Sequence, residues 1–468
     1  MPQSSTTKLW WSIASRFLLV LAVAAAAAVT IGHFVGLRLE VDGSGFWPLL
    51  SQFDEDTHSE VLEIDRSRQT GAPLVSTSQT ELPDSFWPAY RGLSRDGHYM
   101  GKIQTEWPTS GLPVVWKQPI GGGYASFIHA DGRLFTIEQR RDREVVTAYD
   151  PNTGTELWAH GWEERFEEMM GGNGPRATPT WDNGRLFALG AAGELRSLDA
   201  NTGSLRWRRN ILTDAKADNL YWAMSAAPLV VDNLVIVLPG GTSGQSVTAY
   251  HADTGAIMWH SLDDIQSYTA PMLTELDGEL QVVVVTASRI AGLRVDTGVL
   301  LWDYPWVVST VPNISQPITI DSNRLFVSAG YGQGSALIEV TRSSDGWSVT
   351  ELWRTNRMKN KFSSSVLYDG HIYGLDESIL ACLDVETGEL VWKAGRYGYG
   401  QLLLADKHLV VLTERGEVAL VAATPSGHTE LARFSAITGK TWNVPTLAAG
   451  MLFVRNTTEM AAFDIVPR

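Results

Sequence analysis

Eight side chains have the best claim to chemistry in this chain: Tyr124, Arg176, Trp222, Tyr268, Asn313, Lys361, Tyr397 and Trp442. Four of them stand just ahead of the small-residue stretches ATPT (177–180), AAPL (226–229), TAPM (269–272) and SQPI (315–318). Aromatic faces stack on planar molecules, and Arg176 and Lys361 can pair with negative charge, so the set suits an anionic or planar ligand, quinone included. Arg176, directly after Gly174 and Pro175, is the strongest single candidate for a functional contact. The competing reading is that these side chains plug a channel and bond backbone groups.

Other chemistries lack their residues. The ten histidines are scattered without metal-ligand spacing. There is no G-x-S-x-G elbow and no Walker loop. GGGYASF (121–127) and GGNGPR (171–176) are Gly-rich without the strand-to-helix context of a phosphate loop, and read as crowded loops that need glycine. ERFEEMMGG (164–172) reads as a short helix capping one face. The one cysteine, Cys382, cannot form an internal disulfide and reads as a small buried hydrophobe. No catalytic residue and no metal ligand is assigned.

The elements that would position the eight come from a repeat. AYDPNTGTELW (148–158), SLDANTGSLRW (197–207), AYHADTGAIMW (249–259), GLRVDTGVLLW (292–302) and CLDVETGELVW (382–392) share one pattern, with Thr-Gly four residues before Trp. A period of roughly 40–50 residues marks a repeat architecture. In each copy Asp favours an Asx turn, and Gly154, Gly203, Gly255, Gly298 or Gly388 supplies the positive φ of a bulged hairpin. Upstream lies an alternating strand after a turn, as in DGRLFTI (131–137) and NGRLFAL (183–189). Before that, the small-residue and Pro stretch reads as the innermost strand. Such sheets bury both faces only by packing radially, with large indoles between them.

The expected fold is all-β: an eight-bladed β-propeller with tryptophan-docking repeats over residues 86–468. The outer-strand ladder runs Trp116, Trp158, Trp207, Trp259, Trp302, Trp353 and Trp392, and a degraded copy puts Leu431 in the Trp place. The copy ending at Trp353 has a longer SSDG turn (343–346) in place of Thr-Gly. The last copy reaches AFD (462–464) and lacks its outer strand, whereas PVVWKQP (113–119) is an outer strand without a sheet. Trp116 therefore completes the last blade and closes the ring. A seven-bladed count would make one weak copy an insertion.

The net charge of −15 argues against nucleic-acid binding. Residues 17–37 are uncharged and long enough to span a bilayer, with Lys8 and Arg16 before them and an acidic stretch after. This pattern reads as a cytoplasmic N-terminus (1–16), a transmembrane signal anchor (17–37) and a flexible linker (38–85), with the propeller outside the cytoplasm. In a bacterium that means single-pass anchoring in the inner membrane and a periplasmic propeller. A cleaved signal, giving a secreted or periplasmic chain, is the alternative.

The A-x-D-x-x-T-G-x-x-x-W pattern resembles the tryptophan-docking repeat of the pyrroloquinoline quinone (PQQ) enzyme propellers and of their non-catalytic, BamB-like branch. WPAYRGLSRDGH (87–98) and GGNGPRATP (171–179) resemble segments of membrane-anchored or secreted PQQ-like propellers. For the catalytic branch the resemblance implies PQQ and Ca²⁺, held with Glu, Asn and Asp, an Asp base, and a disulfide between adjacent cysteines. A single cysteine excludes that disulfide, and no haem-attachment C-x-x-C-H is present. No cofactor is therefore expected. The BamB-like branch implies a protein-interaction scaffold that meets other envelope proteins through the loop-bearing face. The alternative is a PQQ-dependent dehydrogenase or quinone-binding sensor using the axial channel. Fold alone does not choose between them.

Overall fold

The computed structural model describes residues 37–44, 48–52, 54–69, 85–168, 170–308 and 313–467. Within them, eight sheets built on four antiparallel strands follow one another as blades of a ring, the seventh carrying a fifth, parallel strand. The first blade is Ile128–Ala130, Arg133–Arg140, Arg143–Tyr149 and Glu156–Glu163. Each of the next six also runs from an innermost to an outermost strand in chain order. The eighth takes three strands from the C-terminal end, Thr446–Ala448, Met451–Arg455 and Glu459–Asp464, and its outer strand, Val114–Pro119, from upstream of blade one. Ala462 pairs with Trp116 in that last ladder, so the expected closure is the one found.

Local sequence explains each blade. Asp131-Gly132 and Asn183-Gly184 both take positive φ, the two-residue turn that matches strand twist. In the repeat, Asp199 accepts from the amides of Asn201 and Thr202 at 3.1 Å, closing the expected Asx turn. Gly203 then sits at φ +69, where a Cβ would lie 2.6 Å from the Trp158 ring of the preceding blade. The glycine is needed twice, for the bulge and for the indole seat.

Six ladder tryptophans also donate their indole N–H to a carbonyl of the neighbouring blade's turn. Trp116 reaches Pro151 at 2.8 Å, Trp158 Ala200 at 3.1 Å, Trp207 Ala252 at 2.8 Å and Trp259 Val295 at 3.1 Å. Trp353 reaches Val385 at 3.0 Å and Trp392 reaches Thr424 at 2.9 Å. Trp302 departs from the rule and donates to Gln281 of its own blade at 2.7 Å. The blade it faces is the one whose Thr-Gly turn is missing.

The N-terminal part differs from expectation within the stretch read as a linker. Of the predicted span, residues 17–36 lie outside the described residues, and Leu37 begins a strand, Leu37–Val41, paired with Pro48–Gln52. No helix among the described residues is long and apolar enough to cross a membrane. The stretch 38–85, read as a flexible linker, contains this hairpin and a helix, α1 (Glu55–Gln69), seated on the ring. Arg66, buried, donates to the Pro119 carbonyl at 2.8 Å and approaches Glu156 at 3.4 Å. His58 contacts the Ile120 carbonyl at 2.9 Å. Polar contacts at the seam between the last blade and blade one hold α1, and they leave no periodic apolar pattern in the sequence. The segment expected as a short capping helix is irregular at 164–168 and 170–172.

Candidate functional site: the axial cavity

The connections that enter the innermost strands converge on one mouth of the ring, around an axial cavity of about 310 Å³. Six of the eight predicted residues line it: Tyr124, Arg176, Trp222, Tyr268, Lys361 and Trp442. They work because each precedes an inner strand that begins at the axis, so its side chain is delivered to the mouth. Tyr331, Phe362, Gln401 and Tyr90 complete the wall. The rings touch in sequence: Tyr124 and Trp442 lie 5.3 Å apart, Phe362 and Trp442 4.7 Å, Trp222 and Tyr268 6.1 Å.

Two predicted residues are elsewhere. Asn313 turns its amide back to donate to the carbonyls of Thr286 at 2.8 Å and Trp306 at 3.3 Å. Tyr397 follows its outer strand too closely to reach the axis; its hydroxyl donates to Glu430 at 2.7 Å and meets His428 at 2.8 Å.

Both cations of the wall already have partners. Arg176 donates to the carbonyls of Gly174 at 2.8 Å and Gly172 at 2.9 Å, and its guanidinium lies over the rings of Phe166 and Tyr124. Burial lowers its pKa, with Tyr124 and Glu168 working against that. The Lys361 ammonium sits among Tyr331 (4.9 Å), Tyr399 (5.0 Å) and Phe362 (5.3 Å) and donates to the Gly43 carbonyl. Desolvation lowers its pKa too. Burial also pushes the phenols of Tyr268, Tyr331 and Tyr399 up to about 12.

One level deeper, the segment around Tyr90 crosses the axis. Trp87 pairs with His129 of blade one, the Pro88 carbonyl accepts from Trp181 of blade two, and His98–Tyr99 adds a parallel strand to Gln401–Ala405 of blade seven. Between these anchors two arginines are buried against backbone. Arg91 donates to the carbonyls of Ser364 at 3.3 Å and Ser365 at 2.8 Å. Arg95 donates to Pro228, to Pro271 at 3.0 Å and to the Thr180 hydroxyl at 3.1 Å. Burial pushes Arg95 down to about 9. These two residues staple four blades from inside, and sequence reasoning missed them because an Arg-rich turn carries no periodic signal.

The cavity can therefore stack and solvate a flat or peptidic group. Of the described residues that line it, Asp42 is the one carboxylate and there is no Glu or Asn, so the Glu, Asn and Asp set implied for the dehydrogenases is not assembled on its wall. Among the described residues no group of three or more His, Cys, Asp or Glu side chains is placed to hold an ion. Cys382 is buried within blade six, where desolvation pushes its thiol up to about 11.

A sequence profile of the family described as outer membrane protein assembly factor BamB matches residues 141–394. The chain is 21% identical over 272 residues to BamB of Shewanella oneidensis, covering 55% of this chain and 66% of that protein, just under two thirds of its length. It is 24% identical over 294 residues to the quinohemoprotein alcohol dehydrogenase ADH-IIG of Pseudomonas putida, covering 60% of this chain and 34% of that enzyme. Among solved structures, BamB from Moraxella catarrhalis superposes with a TM-score of 0.55 at 16% identity, over 75% of this chain and 99% of that one. At that identity the likeness is one of fold.

Proposed function

The chain belongs to the family of outer membrane protein assembly factor BamB, and from that membership we propose that it is a non-enzymatic, extracytoplasmic scaffold that binds other envelope proteins through the mouth face of its propeller. The observation that carries this reading is an arc of exposed apolar side chains. The connections after the first four blades each present one: Met170, Tyr221, Ile265 and Val307, exposed by 42%, 64%, 52% and 56%. Their loops lie on the face where the cavity opens. Single exposed hydrophobes are ordinary, but one on each of four successive loops of one face makes a surface suited to protein contact. In this reading residues 17–37 anchor the chain in the inner membrane of a bacterium, and the propeller lies in the periplasm. A photo-crosslinking residue at position 221 or 265 then captures an envelope protein, and the same residue at Leu205 on an outer strand does not.

A second reading, a PQQ-dependent dehydrogenase or quinone-binding sensor, is favoured by one observation: aromatic rings and two cations surround the axial cavity. The cations engaged by backbone, and a described wall whose one carboxylate is Asp42, weigh against it. Adding PQQ with Ca²⁺ tests it directly. A raised Tm with dye-reducing activity supports the second reading, and no shift at saturating quinone rejects it.

A further inference from the structure

The axial mouth already holds a peptide. Strand Leu37–Val41, which pairs with Pro48–Gln52, leads into the cavity, where Val41, Asp42, Gly43 and Ser44 form part of the wall. The contacts of Gly43 are specific. The Gly43 amide donates to Glu414 Oε1 at 2.6 Å, and the Gly43 carbonyl accepts from Lys361 Nζ. A Cβ at position 43 would fall onto the Tyr399 ring, so only glycine fits there.

The receiving groups belong to the ring and have further partners within it. Glu414 accepts from the Trp442 indole at 2.9 Å and the Tyr399 amide at 3.2 Å, which fixes its carboxylate. Lys361 is held by its three surrounding rings. Without the occupant, Lys361 Nζ and Glu414 Oε1 each exchange one protein partner for water, and the same two groups can meet an incoming carbonyl and amide. At position 43 the segment is read through one amide, one carbonyl and one missing side chain. None of these depends on the segment belonging to the same chain.

We propose that the axial mouth is a receptor for a glycine-bearing loop segment, occupied in cis by the chain's own Val41–Ser44 and open to the same kind of segment on a partner protein once Val41–Ser44 leaves. The proposal rests on the scaffold reading and names the chemistry of the partner's contact. Tethering gives the cis segment a high effective concentration, so a partner competes only when that segment is displaced.

The test uses the full chain and a fluorescent cyclic peptide carrying the sequence of residues 38–51. Gly43→Val in the protein evicts the resident segment by collision with Tyr399; Gly43→Glu, which sets a charge beside Glu414, is a second evicting variant. The expected result is that both variants bind the peptide and the unaltered protein binds it at least about tenfold more weakly. Adding Lys361→Ala or Glu414→Gln to Gly43→Val weakens binding at least about tenfold. A peptide with valine in place of Gly43 binds none of them. Failure of both evicting variants to bind the peptide overturns the proposal, as does equal binding of the glycine and valine peptides. If either occurs while position 221 still crosslinks a partner, the scaffold reading stands and the partner's contact lies on the loops.

Discussion

The Trp116 indole donates to the Pro151 carbonyl at 2.8 Å, and through that bond the strand completing the last blade is docked on the first. One residue thus serves both sides of the closing seam. Arg455 reinforces the seam from inside: it donates to the Thr136 hydroxyl at 2.7 Å, and to the carbonyls of Ile137 at 3.2 Å and Gly121 at 2.9 Å. Without this closure Glu459–Asp464 would be the unpaired edge of the last blade.

Removing that dock separates its two contributions. Trp116→Phe keeps a ring in the gap and loses the bond to Pro151, with an expected cost of about 1 kcal/mol. Trp116→Ala also empties the gap, with an expected cost of about 3–5 kcal/mol. Urea denaturation of both variants measures the difference, and equal losses would mean the indole contributes no packing.

The repeat glycine makes a second, internally controlled comparison. Gly203 and Gly370 have nearly the same φ, +69 and +72, but a Cβ meets the Trp158 ring at 2.6 Å in the first case and nothing within 4 Å in the second. Gly370→Ala is expected to cost about 1–2 kcal/mol, the conformational penalty alone. Gly203→Ala is expected to cost roughly 1–3 kcal/mol more, because the indole must move. Thermal unfolding reads both.

Stability should also fall with rising pH through one buried acid. Glu144 of blade one accepts from the Ala191 amide of blade two at 2.8 Å, and burial raises it to about 8. A carboxyl whose folded pKa exceeds its unfolded value contributes stability below the unfolded pKa, and that contribution is lost as pH rises through the folded one. Glu144→Gln stays neutral, so its stability relative to the natural chain should grow by about 2–4 kcal/mol between pH 4.5 and 8. A constant difference across that range would show that Glu144 does not titrate as described.

Helix α1 should depend on its buried arginine more than on its exposed ion pairs. Arg141 pairs with Glu63 at 2.5 Å and Arg165 with Glu55 at 3.4 Å, all four partly or well exposed and worth little in water. Arg66 carries the contact to the Pro119 carbonyl. Hydrogen exchange across residues 55–69 should accelerate far more in Arg66→Ala than in Arg141→Ala.

Much of this molecule was legible in its sequence, for physical reasons that also mark where legibility ends. Indoles at a fixed distance after Thr-Gly can be satisfied only by a neighbouring sheet, so the ladder from Trp116 to Trp392 implied both the blades and their closure. Trp302 broke the pattern because its partner turn, SSDG, gives no seat for an indole. Six mouth residues followed from chain direction alone. Asn313 failed because its amide found backbone carbonyls nearer than the axis. Tyr397 failed because its hydroxyl found Glu430 between blades. The crossing strap with Arg91 and Arg95, and the segment at Gly43, bind through a few isolated charged or backbone groups. Such contacts leave no periodic trace, so neither could be read in advance.

The scaffold reading is tested most directly by removing the apolar arc from the mouth face. Met170, Tyr221, Ile265 and Val307, all replaced by serine, should leave the propeller's Tm within a few degrees of the original, because these side chains are exposed. Crosslinking from a position on the same face should then lose the envelope partner that the unaltered chain captures. Undiminished capture by the quadruple variant, or a Tm that rises with PQQ and Ca²⁺ in either protein, would contradict it.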